Sequence, residues 1–184
     1  MKKLIVFCST CILSFEVFSN QLNYAEVDAD VTLRQSVVIN NVKDLQFGVL
    51  EYDPADTGGF IILEPTSQVF LGNTGYISSG TATAGSLDII AAQGETVNIS
   101  CTPTARLSRE NHPSETIPLS GAKYIINGLM WFCSSGMHDF VSGGTDSIHI
   151  GAKLTVPTGS QAKPGTYSTS NTGGIPLSFT VTYE

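Results

Sequence analysis

The side chains able to do chemistry are few and far apart. The three histidines are His112, His138 and His149. His138-Asp139 lies close to Ser134-Ser135, the residue types of a hydrolytic relay. A nucleophile elbow and its strand–turn–helix setting do not accompany them. They read as loop residues bonding water or backbone, and His149 as an exposed residue on the polar face of a strand. Asp53 and Asp56 are two carboxylates in a loop, short of the spaced oxygen series of a calcium loop. Cys101 and Cys133 have no close cysteine pair or histidine cluster beside them, which argues against zinc. In an exported chain an even pair of this kind reads as a disulfide. Its loop of about 30 residues is worth roughly 3–4 kcal/mol on the chain-entropy model. No catalytic, metal or cofactor set is expected, so the chemistry to look for is that of association.

The patterning points the same way. From Ala25 to Leu33, Ala25, Val27, Ala29, Val31 and Leu33 alternate with Glu26, Asp28, Asp30 and Thr32. An extended backbone puts the apolar set on one face and the acids on the other, whereas a helix would leave no apolar stripe. Before it, Lys2-Lys3 and an apolar run from Leu4 to Phe18 read as a secretory leader over residues 1–19. The run is about 15 residues, short of the roughly 20 that span a bilayer. Residues 20–34 then form an N-terminal extension and residues 35–184 one domain. A net charge of −7 and only nine Lys and Arg argue against nucleic acid and anionic membrane as partners.

Charged residues are 14% of the chain, below the usual quarter, and 18 glycines punctuate it, which favours short strands and tight turns over long helices. Ser36–Ile39 is expected to be extended and Asn40-Asn41 to turn. Asp44–Leu50 reads as a strand in which Gly48 marks a bulge or close approach. Residues 60–63, 68–71, 87–90 and 96–101 are further strands. Residues 102–118, polar and broken by Pro103, Pro113 and Pro118, read as a long surface loop. Asn127-Gly128 joins two strands as a type I′ hairpin. Ser134–Gly144 reads as a loop. In Ser147–Val156, Ile148, Ile150, Ala152, Leu154 and Val156 point inward. The chain closes on Leu177, Phe179, Val181 and Tyr183, which share a face. About ten short strands without helical period predict an all-β fold, an antiparallel β-sandwich.

The order of landmarks resembles a bacterial family, domain of unknown function 4402, found near pilus chaperones. Leu45-Gln46-Phe47-Gly48 matches its Leu-x-Phe-Gly element, and Gly58-Gly59-Phe60-Ile61 its Gly-Gly strand. Gly151-Ala152-Lys153-Leu154-Thr155-Val156 matches its Gly-x-x-Leu-x-Val strand, Pro164-Gly165-Thr166-Tyr167 its turn, and Val181-Thr182-Tyr183 its last strand. The inserted Ser168–Gly174 and the Cys101–Cys133 pair depart from that pattern. The resemblance implies an immunoglobulin-like, pilin-like sandwich lacking one strand. A periplasmic chaperone would fill the gap first, and at an outer-membrane usher the extension of the next subunit would replace it. The expected product is a cell-surface fimbria of head-to-tail copies or sibling subunits.

The residues themselves allow that reading. An open sheet edge is a template for pairing, and a donated strand supplies backbone bonds and alternating side chains. Ala25, Val27, Ala29, Val31 and Leu33 would be the donor stripe. Leu177, Phe179, Val181 and Tyr183 would line the groove or form the edge that a chaperone pairs with. The alternative is a self-contained secreted adhesin or binding module, with both segments paired in one chain and a host or surface ligand contacted through residues 102–118.

Overall fold

In the computed structural model the described residues are Val31 and 33–184. The leader and the donor positions Ala25, Val27 and Ala29 lie outside them. Residues Arg34–Glu184 make one compact unit, all-β and free of α-helix among the described residues.

The strands, in chain order, begin with β1 (Val38–Lys43), β2 (Val49–Glu51), β3 (Gly59–Leu63), β4 (Val69–Gly72) and β5 (Ile77–Ser79). Next come β6 (Gly85–Ile90), β7 (Thr96–Cys101), β8 (Ala105–Arg109), β9 (His112–Ile126) and β10 (Leu129–Phe132). A single 3-10 turn, Cys133–Ser135, separates these from β11 (His138–Val141), β12 (Thr145–Val156), β13 (Tyr167–Ser168) and β14 (Phe179–Tyr183).

The large sheet runs β1-β6-β12-β9-β8-β13, and every pairing is antiparallel. β12 is its spine because it outruns β6 and so takes a second partner on that edge. Thr145–Ile150 pairs with β6, Ala152–Val156 pairs with β3 on the same edge, and β9 lies along the other edge. β4 extends the sheet beyond β3, and β10 pairs with the end of β9. The alternation read in the sequence holds here: Ile148, Ile150, Ala152, Leu154 and Val156 are all buried. The small sheet is β11-β7-β14, and β2 with β5 forms a separate two-stranded ribbon. Val97 and Ile99 of the small sheet share one apolar core with Ile61, Leu63, Ile89, Tyr124 and Ile126 of the large one, which makes the architecture a sandwich. Burying each Val- or Ile-sized side chain contributes roughly 1.5–3 kcal/mol. Cys101, at the end of β7, is disulfide-bonded to Cys133, just past β10, with Cα atoms 5.0 Å apart. The bond therefore staples the small sheet to the large one.

Local chemistry explains several details. The β9–β10 hairpin turns on Asn127 (φ 50) and Gly128 (φ 78), the two positive values that a type I′ turn needs. Gly48 (φ 76) is a close approach: a Cβ there would stand 3.2 Å from the Ser79 carbonyl.

Four expectations are corrected. Residues 102–118 are not a surface loop, since β8 and the first part of β9 occupy most of them. The prolines are tolerated because the ladder does not need their missing N–H groups. Arg106, opposite Pro118, exchanges its backbone bonds with Ile175 instead, and the β9–β12 pairing ends one residue past Pro118, at Leu119. Asn40-Asn41 is not a turn but a β-bulge inside β1, with Asn41 at φ 50. Ser134–Gly144 contains β11, whose four residues pair with β7. Of Asp44–Leu50 only Val49 and Leu50 fall in a strand, β2; Gln46 makes an isolated bridge to Thr83.

Candidate functional site: two uncovered sheet edges

β14 lies at the edge of the small sheet and pairs with β7 alone, Phe179 opposite Cys101 and Tyr183 opposite Val97. Its side chains alternate. Thr180 and Thr182 are exposed, while Phe179, Val181 and Tyr183 are half-buried and packed against the core, as is Leu177 just before the strand. Phe179 meets Tyr124 edge-on, ring centroids 6.0 Å apart, which seats the start of the strand. At its end, the Ala92 amide donates to the Tyr183 hydroxyl at 2.8 Å. The Arg34 guanidinium lies over the Tyr183 ring, 5.1 Å from its centroid, and pairs with Glu95 at 3.5 Å. The apolar row is thus held in register but not sealed. A strand with neighbours on both sides and a covered face would bury these residues fully, as β12 does with Ile148.

β1 is one edge of the large sheet and pairs with β6 alone. All six of its residues are exposed, Val38, Ile39 and Val42 among them. A sandwich strand ordinarily hides every second side chain. β1 hides none, so neither of its faces is covered. Among the described residues of the alternating stretch, Val31 and Leu33 are exposed.

The chemically suggestive residues do not converge. His112 and His149 are exposed. His138 is not a loop residue: it lies on β11, half-buried, its ring stacked on Trp131 with centroids 4.2 Å apart and its Nε2 buried without a hydrogen-bond partner. Asp53 and Asp56 build their own turn. The Asp56 carboxylate accepts from the Asp53 amide at 2.6 Å, and the Asp53 carboxylate from the Ala55 amide at 2.9 Å. Among the described residues no three His, Cys, Asp or Glu side chains gather as a metal site, and no helix is long and apolar enough to cross a membrane.

Sequence reasoning singled out β14 but missed β1 as an exposed edge. The signal was present in Val38, Ile39 and Val42, three apolar residues interrupted by the Asn pair that was read as a turn.

An antiparallel β-sandwich with one-partnered strands at its edges, β14 and β1 among them, defines the class. The family model described as Domain of unknown function (DUF4402) matches residues 37–173, most of the chain, and the protein belongs to that family. No curated protein matches it. The alternating stretch before Arg34 and the strand β14 both fall outside the matched span.

Proposed function

We propose that the protein is a structural, non-enzymatic subunit of a surface fimbria, joined to its neighbours by strand donation. The carrying observation is the apolar row on the free edge of β14, packed against the core yet only half-buried. A strand laid beside it satisfies its unpaired backbone groups at about 1 kcal/mol net for each hydrogen bond. It also covers the row, at roughly 1.5–3 kcal/mol for each Val- or Leu-sized side chain that it buries. The donor is the stretch Ala25, Val27, Ala29, Val31 and Leu33 of a neighbouring copy or sibling subunit. A contact between the front of one copy and the edge of the next does not close on itself, so it builds a filament. In transit a periplasmic chaperone holds the edge, and an outer-membrane usher exchanges it for the next subunit's extension. The sequence resemblance to chaperone-linked pilins supports this route.

The test is deletion of residues 20–30 in cells expressing the whole assembly system. The expected result is a subunit that remains bound to its chaperone and cannot extend a fibre. Fibres of normal length, seen as ladders in unheated detergent gels, would refute the reading. A refolded monomer that pairs its own extension would favour the self-contained module instead.

A further inference from the structure

A second site lies on the solvent face of the large sheet, where β1, β6 and β12 run side by side. The bulge in β1 shifts its register between Asn40, opposite Asp88, and Lys43, opposite Ser86. On the other flank Ser147 stands opposite Asp88 and His149 opposite Ser86. Two rows result, Asn41–Asp88–Ser147 and Lys43–Ser86–His149, around an open hollow of about 520 Å³. Bulges characteristically re-aim side chains in this way. Here the left-handed Asn41 turns its amide onto Asp88, donating to one carboxylate oxygen at 2.6 Å, while the Ser147 hydroxyl donates to the other at 2.6 Å. Those two bonds, Ser147 first, hold the Asp88 carboxyl below its usual range, with Lys43 and His149 reinforcing them. Asp88 is thus an ionised carboxylate, fixed by its neighbours, with a free lone pair on each oxygen.

We infer that this hollow binds a neutral sugar, with vicinal hydroxyls donating to Asp88 and ring or hydroxyl oxygens accepting from Lys43 and Ser86. The other ligand classes fit poorly. Val42 stands in the lining beside the polar residues, but a purely apolar ligand would strip water from Asp88 and Lys43 without replacing their bonds. A metal ion would find only Asp88 and His149, because among the described residues no third ligand joins them. An anion would meet Asp88 itself and a chain of net charge −7. A neutral polyol disturbs no charge balance and uses both acceptors and donors. The rows come from edge β1 and two inner strands, so the site sits on rigid elements and does not involve the β14 edge.

The test is amide chemical-shift mapping of the labelled mature protein. The probes are glucose, galactose, mannose, N-acetylglucosamine and fucose at millimolar concentration, with glucuronate and galacturonate as charged comparisons. At least one neutral sugar is expected to shift the signals of residues 41–43, 86–88 and 147–149. Asp88→Asn should weaken that binding about tenfold, the scale of one lost hydrogen bond to a charged acceptor. Lys43→Ala, at an exposed position, tests the other row without touching Asp88 and should weaken it too. The inference fails if no neutral sugar moves these signals, if the uronates bind better, or if both variants bind as the parent does.

Discussion

Removing the disulfide tests the way the two sheets are joined. Cys101 and Cys133 are 32 residues apart, and their bond ties β7 of the small sheet to the turn after β10 of the large one. On the chain-entropy model, opening a loop of that size costs about 4 kcal/mol. With a urea dependence of roughly 2 kcal/mol per molar, the double variant Cys101→Ala/Cys133→Ala should unfold at a midpoint about 2 M lower. Its slope should steepen, because an uncrosslinked unfolded chain exposes more surface. The assay is urea unfolding followed by the fluorescence of Trp131, the sole tryptophan, which is stacked on His138 of β11 in the small sheet. A midpoint within about 0.5 M of the parent's, with unchanged slope, would mean that packing alone holds the sheets together.

Three further outcomes follow from the core and its neighbours. Ile61 is fully buried between β12 and β4 in the large sheet, so Ile61→Ala should lose about 2–5 kcal/mol in the same urea assay. Gly151→Ala should cost about 1–3 kcal/mol, because its new methyl would collide with the Leu63 carbonyl and Pro65. Burial pushes the Tyr124 phenol from 10.0 up to about 12. A raised value favours the protonated folded form, so its stabilising contribution is complete below pH 10 and is lost as pH rises towards 12. Urea midpoints measured across that window should fall, and Tyr124→Phe should flatten part of the decline.

The spine of the fold is legible in the sequence where one face of a strand is buried. Ser147–Val156 alternates because its inward set fills the core, and Asn127-Gly128 marks its hairpin because few other pairs accept two positive φ values. Prolines misled the reading of residues 102–118, since a proline breaks a strand only where its N–H is needed, and that depends on partners distant in sequence. β11 was missed for a related reason: four residues carrying His138 and Asp139 have no pattern of their own and are strand only because β7 lies beside them. The two candidate sites differ in the same way. The β14 row is contiguous and periodic, so it could be read directly. The polar hollow joins residues near 41, 87 and 148, which meet only after β1, β6 and β12 pair around a bulge that reads locally as a turn.

The central claim is that the β14 edge lacks a partner strand until another copy supplies one. Hydrogen exchange of the β14 amides tests it directly, in the isolated body 35–184 and after addition of a peptide of residues 20–34. The expected result is fast exchange at the outward-pointing amides of Phe179–Tyr183 in the body alone and strong protection once the peptide is bound. Amides already protected in the isolated body, or still unprotected at saturating peptide, would contradict it.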